Sequence, residues 1–422
     1  MNLQQDWLKD INVDWDKVSP RFLFSERSTK SFSEDIHLTP SQIYGVLPQS
    51  EYMRITGNKV VLNLTGADNM KHVEENDFII HLRSFQGGIE HSKFAGKVSN
   101  AYCVLTPNNK VEPRYFRWVL KSSGYIQELN SSTDQLRDGQ SIKYEQFCNI
   151  ALPLPNKETQ IAIATFLDEQ ISIIDELIAK KNEALDQVGY YFDAKVRDMI
   201  LGAGNTSVTP PSWASHLGSD RQLIPLGRLV RIRGEKNDPI QLEQILSLTA
   251  SRGVILYEDK GDIGNSASDD VSRYSIVRIN DLVVNCMNVI IGSVGISRYE
   301  GVLSPVYYVL MPISEKTIDM EYLGLHFRIR EFQRQLIRIG YGILDHRMRI
   351  PWVNLKSEKI IVPPIEVQKL IVGELKKLDN DRFTALGKIE NSIKLLQEYK
   401  SSLISNAVIG RLTIDKNLRV AK

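Results

Sequence analysis

Two stretches of the chain place their apolar residues in alternating steps of four and three. The first runs through Leu167, Ile171, Ile174, Ile178, Lys181, Leu185, Val188 and Phe192. The second runs through Leu386, Ile389, Ile393, Leu396, Lys400, Leu403 and Ala407. This is the seam of a helix that packs lengthwise against another helix. No proline interrupts either run. Proline instead precedes each, in "PLPNKETQIAI" (153–163) and "IVPPIEVQKLI" (361–371), where it sets the entry and cannot disturb a helix interior. Asn156 is placed to cap the first helix, and Gly202 and Gly410 to end the two. The spacing predicts two helices of about 44 residues, each about 65 Å long. Helices of this length need a partner, and each has the other. The first delivers the chain to its second half and the second must return, so the predicted pair is antiparallel.

The helices belong to a larger repeat. Matching residue i to i+208 from Pro155 to Gly202 gives eight identities in 48 positions without a gap, among them Glu158/Glu366, Gln160/Gln368 and Tyr191/Tyr399. Upstream, "NDFIIHLRS" (76–84) matches "NDLVVNCMN" (280–288), and "FAGKVSNAYCVLTP" (94–107) matches "YEGVLSPVYYVLMP" (299–312). "LRDGQSIKYEQF" (136–147) faces "LDHRMRIPWVNL" (344–355). A unit of roughly 200 residues, mixed in its first part and helical in its second, therefore occurs twice.

The mixed parts carry short β-branched and aromatic runs, "KVVLNL" (59–64), "DFIIHL" (77–82), "NAYCVLT" (100–106), "DLVVNC" (281–286) and "PVYYVLM" (305–311), which read as strands. Residues 113–129 and 320–339 read as helices. The predicted class is α+β: two globular domains, each a curved mixed sheet with few helices, joined by two long antiparallel coiled-coil helices under a pseudo-two-fold internal repeat. The boundaries are 1–152 and 221–362 for the globular domains, 153–202 and 363–410 for the helices, 203–220 for a Gly-, Ser- and Pro-rich linker, and 411–422 for a tail.

The formal net charge of the 422 residues is only +1. Its distribution is uneven: residues 156–200 carry 5 basic and 9 acidic groups, whereas 326–349 holds six arginines and two acids. Confined polyanion contacts are compatible with this pattern, as are solvated helix faces. Three isolated cysteines (103, 148, 286) argue against a disulfide framework and fit a cytoplasmic protein. No apolar run reaches the roughly 18 residues of a membrane span, and the N-terminal residues have no apolar signal core. The sequence has no phosphate loop, no dinucleotide fingerprint, no H-E-x-x-H, no nucleophile elbow and no convincing nuclease carboxylate cluster. Two loops have a different composition: "RSFQGGIEHSK" (83–93) and "MNVIIGSVGISR" (287–298) combine Gly pairs with Arg, Gln, Asn, Ser and Lys. Glycine lets backbone approach a ligand, and these side chains pair with base edges and phosphates. A plain hairpin turn has the same composition.

Two mixed units, each followed by a proline-led "P-x-x-E-x-Q" helix, resemble the specificity subunit of type I restriction–modification systems over essentially the whole chain. The spacer helices, the terminal "LISNAVIGRLTID" (403–415) and the two loop tracts carry the resemblance. The central 196–213 segment is a degenerate copy of that terminal motif. The resemblance implies a DNA-binding, non-catalytic subunit with two target-recognition domains. They read a bipartite, asymmetric duplex target across a helical ruler. It implies two methylation subunits with S-adenosylmethionine and adenine-N6 chemistry, and a restriction and translocation subunit with ATP and magnesium. This chain itself holds no cofactor or metal and contacts no membrane. Arg83, Ser84, Phe85, Gln86 and Lys93 are expected on the first reading surface and Asn288, Ser293 and Arg298 on the second. Tyr44 and Arg252 lie at matching turns, and Arg137, Arg347 and Arg349 are expected near phosphate. Glu158, Gln160, Glu366 and Gln368 either hold the domain–helix joint or face the methylation subunit. Competing expectations are a related phage-defence methylation complex, a stand-alone restriction or modification enzyme, and a coiled-coil scaffold.

Overall fold

Strands in each half are short because glycine, asparagine or proline punctuates them every few residues. The computed structural model describes residues 6–58, 69–81, 87–131, 142–204, 208–250, 252–261, 270–341, 348–412 and 414. The predicted strand at 59–64 lies outside them. The chain divides into two compact units, residues 1–181 with 390–422, and residues 182–389. Both division points fall inside the long helices, so each unit holds one end of each helix.

The first unit contains β1 (Asp16–Val18), β2 (Phe24–Glu26), β3 (Leu38–Ser41), β4 (Gly45–Pro48), β5 (Lys71–Val73), β6 (Phe78–Ile80), β7 (Ile89–His91), β8 (Gly96–Val98), β9 (Cys103–Pro107) and β10 (Leu152–Leu154). Its central sheet has the order β2-β9-β6-β7, flanked by the two-stranded ribbons β3-β4, β5-β8 and β1-β10. The second unit contains β11 (Gln222–Pro225), β12 (Val230–Ile232), β13 (Leu246–Thr249), β14 (Gly253–Leu256), β15 (Ser275–Val277), β16 (Leu282–Asn285), β17 (Val294–Ile296), β18 (Gly301–Leu303), β19 (Tyr307–Pro312) and β20 (Lys359–Val362). The order β12-β19-β16-β17 and the ribbons β13-β14, β15-β18 and β11-β20 repeat the first unit strand for strand. The described ladders are antiparallel. Among the described residues, parallel pairing occurs at the bridges His37–Lys97 and Ile245–Val302.

The central strands are buried on both faces, which is why they read as unbroken apolar runs rather than alternating ones. In β6, Phe78 and Ile80 join the main core with Phe24 and Phe116, while Ile79 faces Leu38 and Val46 of the β3-β4 ribbon. In β16, Leu282 and Val284 face the main core and Val283 faces Leu246 and Leu248. The turns before these strands match in detail. Asn76 and Asn280 take φ of 72° and 71°, a left-handed conformation that asparagine tolerates. The Asp beside each accepts from a nearly buried arginine: Arg27 Nε to Asp77 Oδ2 at 2.7 Å, and Arg233 Nε to Asp281 Oδ2 at 2.7 Å. Gly96 and Gly301 admit close backbone approach, because a Cβ there would stand 2.4 Å from the Ile36 carbonyl oxygen and 2.5 Å from that of Gln244.

The long helices span Lys157–Leu201 and Ile365–Val408. Asn156 caps the first, its Oδ1 accepting from the Thr159 amide at 2.9 Å. Gly202 and Gly410 end them at φ 78° and 76°. In the first unit, Ile171 and Ile174 share a core with Leu403, Ile404 and Ala407, and Lys400 reaches Asp175 at 2.5 Å. In the second, Phe192, Val196 and Ile200 share a core with Ile371, Val372 and Leu375. The start of one helix thus packs on the end of the other, the antiparallel sense that the seam predicts. Seam residues Leu185, Val188, Leu386 and Ile389 are only half-buried.

The expected single helices at 113–129 and 320–339 are broken. Helices span Pro113–Val119 and Ser123–Ser131, and Met320–His326 and Arg330–Gln335. In the first case the Ser122 hydroxyl donates to the Val119 carbonyl at 2.7 Å, competing with continuation of the helix. In the second, Ile329 is extended and the Gln333 amide donates to the Phe327 carbonyl at 2.7 Å.

Candidate nucleic-acid interface

One buried glutamine near the start of each long helix ties it to the loop that leads into the short helix. Gln160 is 1 % exposed; its Oε1 accepts from the Glu112 amide at 2.8 Å, and its Nε2 donates to the carbonyls of Lys110 (3.0 Å) and Pro155 (2.9 Å). Gln368 is 0 % exposed and repeats the pattern. Its Oε1 accepts from the Asp319 amide at 2.9 Å, and its Nε2 donates to the carbonyls of Thr317 (3.0 Å) and Pro363 (2.9 Å). Both amides direct their hydrogen bonds into the chain. Gln160 and Gln368 therefore hold the joint and are not available to a partner, which corrects the partner-binding expectation for these two. Glu158 and Glu366 are exposed; Glu366 pairs with Lys369 at 3.6 Å.

Above the joint, each unit opens a cleft between a hairpin tip, a sheet edge and the short helix that follows the sheet. In the first unit the cleft has a volume of about 430 Å³. Tyr44 and Gly45 contribute from the β3-β4 turn, Glu90, His91, Lys93 and Phe94 from β7 and its turn, and Arg117, Trp118 and Lys121 from the 113–119 helix and its end. In the second it measures about 570 Å³. Arg252 and Gly253 come from the β13-β14 turn, Val294 to Ile296 and Arg298 from β17 and its turn, and Gly324, Leu325 and Arg328 from the 320–326 helix and its end. The strand register makes Tyr44 correspond to Arg252 and Lys93 to Arg298, and the equal seven-residue helices that precede them make Lys121 correspond to Arg328.

The chemistry of the two clefts differs. The first is partly aromatic, with Tyr44, Phe94 and Trp118 beside Lys93, Arg117 and Lys121. Asp168 holds Arg117 and accepts from the Trp118 indole at 2.8 Å. Burial, with the charges of Arg117 and Lys93, holds the His91 imidazole down at about 4, so this ring is neutral at pH 7. The second cleft is cationic: Arg252, Arg298, Arg328, Arg330, Lys376 and Arg382 face Asp193, Glu321 and Asp379. Arginine pairs bidentately with guanine and with phosphate, and aromatic rings suit thymine methyls and stacking.

The structure thus brings Tyr44 with Lys93 and Arg252 with Arg298. Tyr44 is 43 % exposed, Lys93 is exposed, and the Arg298 side chain is 64 % exposed and bonded to Glu321 at 3.2 Å. Arg252 is exposed and donates to the Asp259 carbonyl at 2.8 Å. Asn288 is half-buried; its carbonyl accepts from the amides of Ile291 and Ser293. Ser293 is 3 % exposed and sits inside that turn, which removes it from the reading surface expected of it. Arg349 is exposed, pairs by backbone with Tyr341 and lies beside Tyr308 and Cys286. Arg83, Ser84, Phe85, Gln86, Arg137 and Arg347 lie outside the described residues. Sequence reasoning missed Arg117, Lys121, Arg328 and Arg382. The run of arginines at 326–349 pointed to Arg328, but its other members Arg330 and Arg338 form ion pairs with Asp193 (3.1 Å) and Glu358 (2.7 Å).

The duplicated chain thus carries, at equivalent places in its two units, an exposed cleft lined by different side chains. The chain belongs to the type I restriction modification DNA specificity domain family, whose model matches residues 12–187 and 251–395. It is a DNA sequence-specificity subunit, and specificity subunits of this family are not catalytic. The fold is similar to that of a chain solved in a study of complex assembly and conformational transition of the type I R-M system. That match has 13% identity and a TM-score of 0.68, covering 94% of this chain and 98% of the other. It is also similar to the HsdS subunit from Thermoanaerobacter tengcongensis, at 14% identity and a TM-score of 0.52, covering 95% and 98%. No curated protein matches the chain. Among the described residues, no helix is long and apolar enough to cross a membrane.

Proposed function

We propose that the chain reads a bipartite, asymmetric duplex target, one half-site per unit, with the long helices setting the number of base pairs left unread. The observation that carries this reading is a cleft built twice from repeat-equivalent residues with different side chains. Identical clefts would suit a symmetric target; an aromatic and a cationic cleft suit two unlike half-sites. Two methylation subunits dock on the helices and supply S-adenosylmethionine-dependent adenine-N6 chemistry, and a restriction subunit using ATP and magnesium joins them in the cytoplasm. The exposed Tyr191 and Tyr399, which occupy the same position of the two helices, support a docking surface there. Within this reading Tyr44, Lys93, Arg252 and Arg298 contact DNA directly. Arg252→Ala tests it. A base contact predicts a loss of about 1–3 kcal/mol confined to one position of the second half-site, read by binding titrations against single-base variants. A uniform loss across sequences would assign Arg252 to phosphate, and no loss would remove the cleft from the interface.

A further inference from the structure

Among the differences between the two clefts, one changes whether a cation at the end of the short helix is neutralised. In the first unit the Lys121 ammonium is already occupied: it pairs with the buried Glu90 carboxylate and donates to the Gly87 carbonyl at 2.7 Å. In the second unit Arg328 takes the place of Lys121 and Gly295 that of Glu90. The register fixes the second correspondence, since Ile79 pairs with Glu90 as Val283 pairs with Gly295. No acid fits there, because a Cβ on Gly295 would stand 2.8 Å from Gly253 Cα and 2.9 Å from the Val254 nitrogen. The hairpin turn carrying Arg252 packs where a carboxylate would have to start.

Arg328 is left without an ion-pair partner among the described residues. It is nevertheless held in place, its guanidinium 5.0 Å from the centroid of the Phe192 ring. Arg382 lies 4.8 Å from the same centroid and is bonded to Asp379 at 2.5 Å. Arg328 keeps an exposed face, while the protein packed around its head group lowers its pKa, a shift that Asp379 opposes and Arg382 reinforces. A guanidinium stacked on a ring keeps its fork edge free and loses little freedom when it binds an oxyanion.

We propose that the cleft of the second unit is a phosphate clamp, in which Arg328, pre-positioned on Phe192, grips one DNA backbone phosphate that the first unit does not grip at the equivalent place. This rests on the reading that the clefts face DNA. The two half-sites then differ in binding physics as well as in sequence, and the second carries more of the salt-dependent affinity.

The test is fluorescence anisotropy on the full chain, assembled with its methylation subunits, against a labelled duplex carrying the mapped target and one with both half-sites scrambled. Salt runs between about 50 and 200 mM. Arg328→Ala should weaken both duplexes alike and reduce the slope of log K against log salt by about 1. Arg328→Lys, which keeps the charge, should retain the slope. An unchanged slope in Arg328→Ala overturns the clamp, as does a loss confined to one base position or a loss of subunit assembly in place of DNA affinity. A wild-type complex that bound target and scrambled duplex equally would overturn the functional reading itself, a result separable from the variant's slope.

Discussion

Replacing Gln160 with alanine separates a joint from a docking surface. The change removes three hydrogen bonds at once and leaves the Glu112 amide and the carbonyls of Lys110 and Pro155 without their partner. An unsatisfied buried amide costs about 1–3 kcal/mol, and each lost carbonyl contact about 0.5–1.5 kcal/mol. The expected loss is therefore about 3 kcal/mol from the first unit. For a unit of roughly 200 residues this lowers Tm by roughly 6–12 °C. The assay is thermal unfolding of the full chain, with hydrogen exchange to locate the loss. Protection should fall around residues 108–116 and 155–165 and hold around 315–325, where Gln368 makes the equivalent bonds. Glu366→Ala, by contrast, removes only an exposed contact with Lys369 and should shift stability by less than about 0.5 kcal/mol. If Gln160→Ala kept wild-type stability and instead lost assembly with a methylation subunit, the joint would be the wrong account of this residue.

Two further outcomes follow from other parts of the fold. His326 is wholly buried; its Nε2 accepts from the Ile361 amide at 3.2 Å, and burial holds its pKa down to about 3. The unfolded chain takes up this proton near pH 6.5 and the folded chain does not. Stability from this group is thus complete above about pH 6.5 and falls toward pH 3, by about 2–3 kcal/mol at pH 4.5. Urea unfolding at pH 7 and 4.5 should show this extra loss in the wild type and not in His326→Gln; equal losses would contradict the assignment. Inserting four helix-forming residues into the middle of both long helices adds about 6 Å, roughly two base pairs at 3.4 Å each. The spacing of the target should lengthen by that amount with both half-sites unchanged, and an unchanged spacing would refute the ruler.

Much of the frame was legible because it rests on local rules. Steps of four and three gave the seam, Asn156 and the two terminal glycines gave the helix ends, and the repeat paired Tyr44 with Arg252 before any strand was known. The misreadings share a cause, since burial is not written locally. A glutamine that bridges three backbone groups looks the same in sequence as one on a surface, so Gln160 and Gln368 could not be assigned. Ser293 had the right composition for a reading loop, and only its 3 % exposure places it inside the turn. The expected helices at 113–129 and 320–339 are broken because Ser122 and Gln333 capture backbone carbonyls, contacts that periodicity cannot register. The clefts themselves join segments more than 70 residues apart, from Tyr44 to Lys121 and from Arg252 to Arg328. Lys121 and Arg328 emerge as equivalents only when the ends of the short helices before them are known.

The central claim is that two unlike clefts read two unlike half-sites. Mapping N6-methyladenine across a genome that carries this chain with its methylation subunits tests it most directly, with the wild-type chain and with Arg252→Ala. The account predicts one asymmetric bipartite motif with a fixed gap, relaxed by the substitution in one half only. A continuous or palindromic motif, or relaxation of both halves together, would contradict it.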